Sequence, residues 1–257
     1  MRIISVSRRT DIPAFYTRWF LNRVREGFCH WINPFGGQVY RVSLRPEDCL
    51  ALVFWTRNPK PLLRHLDFLC QEGYRFYFHF TINGYPKALE SHNPPAGDAV
   101  ATFQRLAEAI SPELTLWRYD PIILSEVTPE SYHLERFDFL CRQLEGYTHR
   151  CYFSFVDFYG KTERNLRRVE REQGLSFRRP SLEEQRCLAH QLRDIAAGRG
   201  ITLYSCCGNG LVGEGIEKAH CVDPDIVARL RPEADLHLKP SPSRQDCGCV
   251  QSTDIGA

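Results

Sequence analysis

The chain carries a single methionine, at its first position, among 257 residues. It also lacks long apolar runs. The longest, CLALVFW from Cys49 to Trp55, falls far short of the roughly 20 residues a membrane helix needs, so no membrane association is expected. The opening MRIISVSRRTD has a shorter apolar stretch than the roughly 7–15 residues of a secretory core region. A cytoplasmic location is the expectation. Neither sign of charge dominates: 33 Lys and Arg face 31 Asp and Glu, a net of +2. Bulk charge therefore gives no argument for a nucleic-acid or membrane partner. Internal repeats, low-complexity blocks and long linkers are missing. So are a Ser-His-Asp pattern, a glycine-rich phosphate fingerprint and an HExxH helix. The glycines of CGNGLVGEG, residues 207–215, match no standard spacing.

What the chain does have is eleven cysteines. Disulfides are rare in the cytoplasm, and an odd number cannot pair fully within one chain. Buried thiols, metal ligands or redox groups are the expected roles. With 43% hydrophobic and 25% charged residues, the composition is that of a globular protein with a sizeable core. The length suits one domain, and single α/β barrels also run to about 250 residues.

Short apolar, β-rich runs alternate with helical patterns. Strands are predicted over 3–7, 38–43, 50–56, 75–82, 113–119, 150–157, 201–206 and 235–239. Most are nearly continuous apolar stretches, as in parallel strands covered on both faces. Helices are predicted over 13–26, 60–72, 98–110, 129–145, 182–197 and 223–230, from apolar spacing, first-turn Pro and terminal Gly. This alternation implies βαβ units and a parallel sheet. The expected fold is α/β, a (β/α) TIM-like barrel. The hairpin-like segment 28–44, around Asn33-Pro34-Phe35-Gly36-Gly37, lacks a crossover helix, so an irregular or incomplete barrel is allowed for. Residues 1–240 are read as the barrel domain and 241–257 as a cysteine-containing tail packed on it.

Barrel chemistry sits at the C-terminal ends of strands. There the sequence places Arg8, Arg9, Thr10 and Asp11; Thr56 and Asn58; Thr81; Arg118 and Asp120; Asp157, Lys161 and Asn165. These are the candidate substrate- or cofactor-binding residues, because Arg grips carboxylates and phosphates through a two-pronged fork. Single polar residues at strand ends are ordinary, and Asp11 has an equal claim to be a helix cap. No catalytic residue is assigned. His79, among Tyr77, Phe78 and Phe80, reads as a packed core residue.

Cys29, Cys49, Cys70, Cys141, Cys151 and Cys187 fall in apolar patterns and read as small buried hydrophobes. Cys206, Cys207, Cys221, Cys247 and Cys249 do not, and thiolates suit iron–sulfur clusters or zinc. Their spacing is not that of a zinc ribbon. The residues favour a metal site and leave iron–sulfur and zinc both open.

The segments SVSRRTDIPAFY, FWTRNP, FHFTINGY, LWRYDPII, FSFVDFYGKTERN and CGCVQSTDIGA, in that order, resemble the family known as domain of unknown function 1848, over essentially the whole chain. The resemblance implies a barrel related to radical S-adenosylmethionine proteins and distantly similar to spore photoproduct lyase. It implies an iron–sulfur cofactor, S-adenosylmethionine, an electron donor, and a CxxxCxxC segment continuing beyond Ala257. By this resemblance Cys247 and Cys249 match the family's CGC, Cys206 and Cys221 match two other family cysteines, and Cys207 has no counterpart; thiol chemistry, and not the resemblance, makes the four matched cysteines the candidate metal ligands. The function expected is an iron–sulfur, radical S-adenosylmethionine-like protein acting on an unknown small-molecule or nucleic-acid substrate. A second reading is a barrel with a structural Cys site, zinc included, that binds a ligand without radical chemistry. A third is a nucleic-acid repair-associated binding protein. Arg164, Arg167, Arg168, Arg171, Arg178 and Arg179 would serve it, but Glu163, Glu170 and Glu172 dilute them, which favours a solvated helix face.

Overall fold

A computed structural model describes residues 1–32, 36–241 and 247–256. In chain order the elements are β1 (Arg2–Val6), α1 (Ile12–Phe15), α2 (Thr17–Glu26), β2 (Phe28–Ile32), β3 (Val39–Ser43), β4 (Cys49–Thr56), α3 (Lys60–Leu63), α4 (Leu66–Gln71) and β5 (Phe76–Thr81). There follow α5 (Ala96–Ala109), β6 (Thr115–Ile122), β7 (Leu124–Ser125), α6 (Glu130–Leu144), β8 (Arg150–Phe155), α7 (Gly160–Gln173), β9 (Phe177–Arg178) and α8 (Leu182–Ala197). The last are β10 (Thr202–Ser205), β11 (Ile216–Lys218), α9 (Pro224–Leu230) and β12 (Thr253–Asp254).

The fold is mixed α/β around one eight-stranded sheet, ordered β11-β10-β8-β6-β5-β4-β1-β12. Every pair in it is parallel. Strands that follow one another in sequence lie side by side, as in a barrel. Among the described residues, however, β11 and β12 do not pair with each other, so the sheet is not closed. The antiparallel hairpin β2-β3 stands apart from it. Its expected turn at Asn33-Pro34-Phe35 lies outside the described residues.

Side-chain alternation divides the sheet's two faces. Ile4, Val6, Leu52, Phe54, Phe78, Trp117, Tyr119 and Phe153 share a core with the crossover helices, through Phe20, Leu62, Phe103, Phe137 and Leu192. The opposite parity, Ile3, Ala51, Val53, Tyr77, Leu116 and Tyr152, packs on Val222, Ile226, Val227, Cys249 and Val250. The face a closed barrel would turn inward is thus covered by α9 and the C-terminal segment. Covering both faces explains why the strands read as unbroken apolar runs.

Local chemistry sets the element limits. The helix predicted over 13–26 breaks at Tyr16 because the Thr17 hydroxyl donates to the Pro13 carbonyl at 2.7 Å, in competition with the helix ladder. The helix predicted over 60–72 divides into α3 and α4, where the His65 amide turns back to the Leu62 carbonyl at 2.9 Å. A full capping box starts α8: Ser181 Oγ accepts from the Glu184 amide and Glu184 Oε2 accepts from the Ser181 amide. Residues 235–239 are not a strand. Leu236 and Leu238 do face the inner cluster, but the chain there touches its neighbour through one bridge, Pro240 to Val250. Strands β11 and β12 have too few residues to leave a periodic signal. Two of the six cysteines expected in the core, Cys70 and Cys187, are exposed; Cys29, Cys49, Cys141 and Cys151 are buried. No helix of the described residues is long and apolar enough to cross a membrane.

Candidate functional site

The inward residues of β5 place the loop that carries Cys221. Its carbonyl accepts from Tyr77 Oη at 2.9 Å and from His79 Nε2 at 2.7 Å. His79 is fully buried and stacks on Trp55; burial lowers its pKa to about 4, so the imidazole is neutral and donates through Nε2. Asp223, two residues on, caps α9 and pairs with Arg150 at 2.7 Å. Cys249 meets the same loop from the C-terminal segment: its sulfur accepts from the amides of Cys221 at 3.2 Å and Val222 at 3.4 Å. Gly248 has to be small here, since a Cβ would lie 2.6 Å from the His220 ring, which itself bonds the Gly248 carbonyl.

The late thiols meet as a chain. Cys206 Sγ lies 3.6 Å from Cys221 Sγ. Cys221 is also linked to Cys249, Cys249 to Cys247, and Cys206 to Cys207. Hydrogen bonds from Cys206 and Cys249, aided by the Arg118 cation, hold the Cys221 thiol well below its usual range against the effect of burial. Cys206, which donates to its neighbours, is raised. Cys247 is lowered to about 6 by its bond with Cys249.

Arg118 on β6 joins the thiols to the polar wall. Its Nη1 donates to Cys221 Sγ at 3.1 Å; Nε, at 3.0 Å, and Nη2 both donate to Asp120 Oδ2. Burial opposes its charge, but Asp120 and the sulfurs of Cys221 and Cys206 outweigh it and keep the guanidinium protonated. Asp120 Oδ1 accepts from Ser154 Oγ, and the Asp120 amide donates to Asn83 Oδ1 at 2.8 Å. Above these groups opens a cavity of about 820 Å³ at the C-terminal ends of the strands, with Arg8, Arg9 and Asp157 on its walls.

A model of the family described as Domain of unknown function (DUF1848) matches residues 3–257. The chain belongs to the DUF1848 family. No curated protein matches it.

In this DUF1848 chain the cavity gathers nine of the residues expected from sequence: Arg8, Arg9, Arg118, Asp120, Asp157, Cys206, Cys221, Cys247 and Cys249. The other seven stand outside its lining. Asp11 caps α1 through the Ala14 amide and accepts from the Arg57 amide at 2.7 Å, tying β4 to the first helix. Burial raises its pKa. Thr56 Oγ1 accepts from the Asn58 amide at 2.9 Å, and Asn58 Oδ1 from the Lys60 amide. Thr10 turns the chain through its carbonyl to the Ile12 amide. Thr81 is in register with Arg118, and Lys161 and Asn165 are exposed on α7. Arg178 pairs with Glu130 and Glu184, and Arg167 with Glu163.

Sequence reasoning missed Trp55, Ser154, Gln185, Ser252 and Asp254, which also line the cavity. Ser154 had a signal: it shares strand parity with Tyr152, which faces inward. Ser252 and Asp254 arrive only through the pairing of β12 with β1.

Among the described residues, no group of three or more His, Cys, Asp or Glu side chains converges on one point as a preformed metal site. The donor set nevertheless fits a thiolate-held centre. Four thiols from three separate segments adjoin, and the 3.6 Å sulfur separation of Cys206 and Cys221 is close to the roughly 3.8 Å edge of a tetrahedron with metal–sulfur bonds of about 2.3 Å. Amide and guanidinium N–H groups already point at two of the sulfurs, the outer-shell contacts that thiolate clusters use.

Proposed function

We propose that the chain is a metal–thiolate protein of iron–sulfur type, in which Cys206, Cys221, Cys247 and Cys249 hold a cluster beside a cavity for a small anionic substrate. The observation that carries this reading is the contact of Cys221 with Cys206 and with the buried Arg118. Asp120 balances the Arg118 charge while one guanidinium N–H still reaches Cys221 Sγ, and that sulfur with Cys206 beside it offers two adjacent soft donors of the kind a metal takes. An iron–sulfur cluster supplies one-electron transfer when bound.

The chain's own residues have separable tasks. Tyr77 and His79 hold the Cys221 loop by its carbonyl. Asp254 fixes the turn that carries Arg8, which offers a guanidinium to a carboxylate or phosphate at the mouth. The sequential strand order and the covered inner face support an open, incomplete (β/α) barrel, in which α9 and the Cys247–Cys249 segment stand in for barrel packing. On the radical S-adenosylmethionine reading that the resemblance implies, S-adenosylmethionine shares the cavity and an electron donor docks from outside.

Anaerobic reconstitution with ferrous iron and sulfide tests the reading. Iron and acid-labile sulfide in comparable amounts are expected, and both should fall in Cys221→Ser. Tightly held zinc without labile sulfide would replace it with a structural zinc site. Assay of the natural protein for 5′-deoxyadenosine decides the radical arm.

A further inference from the structure

We propose that Arg118 is a positioning residue that sets the charge at Cys221, and through it the reduction potential of the cluster, with Asp120 as its counterweight. This rests on the thiolate-cluster reading above. Arg118 is only 8% exposed, whereas Arg8 and Arg9 on the same cavity are exposed. Its guanidinium is shared between two unlike partners. One N–H reaches Cys221 Sγ at 3.1 Å, and Nε and Nη2 are spent on Asp120 Oδ2. Cys221 lies between two other thiol residues: its Sγ is 3.6 Å from Cys206 Sγ, and its amide donates to Cys249 Sγ at 3.2 Å.

A hydrogen bond to sulfur from a buried cation stabilises the form of a cluster that carries more negative charge, and so raises its potential. The Asp120 carboxylate opposes this, because it draws the same guanidinium and adds a negative charge within the low-dielectric wall. Ser154 Oγ donates to the other carboxylate oxygen and tempers it. If the pair served only to hold β6 against β8, removing either partner would weaken the site in the same sense. An electrostatic role predicts opposite senses.

The experiment is an anaerobic redox titration, followed by electron paramagnetic resonance, of the reconstituted full chain and three variants. Arg118→Gln is expected to move the midpoint potential negative, Asp120→Asn to move it positive, and Arg118→Lys, which keeps the charge, to stay closer to wild type than Arg118→Gln. Equal potentials in all four, or shifts of the same sign in Arg118→Gln and Asp120→Asn, with iron and sulfide content intact, would overturn the proposal and leave the cluster reading standing. A wild-type chain that builds no cluster would overturn that reading, and this proposal with it. Should Arg118→Gln not fold, the sign of the Asp120→Asn shift still decides: a negative or absent shift sinks the idea.

Discussion

Ser7 and Asp254 join the first strand of the sheet to its last, the Ser7 hydroxyl donating to Asp254 Oδ1. The same carboxylate accepts the amides of Arg8 at 3.0 Å and Gly256 at 2.9 Å. Gly256 pays for this closeness with its side chain: a Cβ there would lie 2.3 Å from both Cβ and Oγ of Ser7. Gly256→Ala should destabilise the fold by about 1–3 kcal/mol through overpacking. Asp254→Ala should cost about as much by leaving its donors unpaired. Chemical denaturation checks both; an unchanged midpoint for Gly256→Ala would mean the turn moves aside freely.

Tyr77→Phe removes one hydroxyl and strands the Asp223 amide, while the Cys221 carbonyl keeps its bond from His79. That hydroxyl donates to the Cys221 carbonyl and accepts from the Asp223 amide at 3.1 Å, deep under α9. A loss of about 1–3 kcal/mol is expected, the usual cost of a buried group left unpaired. Faster amide exchange at Val222 and Asp223 should accompany it, and an unchanged exchange rate would count against the hydroxyl as the anchor of that loop.

The thiols divide by position. Cys206→Ser, Cys221→Ser and Cys249→Ser should each lose most of the bound metal, while Cys70→Ser and Cys187→Ser, both exposed and away from the cavity lining, should retain it. Elemental analysis after anaerobic loading is the measurement. Chelation should lower the melting temperature of the wild type and leave that of Cys221→Ser where it was, since only a bound metal stabilises the native state by linkage.

His133 makes stability depend on pH. It is buried and neutral, its Nε2 donating to the Ile123 carbonyl at 3.0 Å and its Nδ1 accepting from Tyr119 Oη at 2.8 Å. Burial lowers its pKa from 6.5 to about 4. The unfolded chain takes up a proton near pH 6.5 and the folded chain only near 4. The stability His133 contributes is therefore complete above pH 6.5 and is lost as pH falls through 4, an effect of about 3 kcal/mol. His133→Gln should be less stable at neutral pH and lose less on acidification. Parallel stability curves for the two proteins would contradict this.

Periodicity was enough for β1, β4, β5, β6, β8 and β10 of the sheet and for most of the helices, because a strand buried on both faces must be apolar throughout and a crossover helix must be apolar on one stripe. It could not decide whether the sheet closes. That depends on β11 and β12, of three and two residues, whose pairing leaves no pattern in composition. It also misread 235–239, where alternating Leu236 and Leu238 found an apolar face to cover but no ladder to join.

The chemistry of the site divides in the same way. The sequence by itself determined which groups were available: late cysteines outside apolar patterns, and arginines and acids where strands end. Their types follow from composition and position alone. Only the tertiary structure decided that Cys206, Cys221, Cys247 and Cys249 meet, that Arg118 divides itself between Cys221 and Asp120, and that Asp11 serves the backbone instead of the cavity. These are contacts between segments far apart in the chain, set by strand register and by the inner face being filled by α9 and the C-terminal segment. No local spacing encodes them.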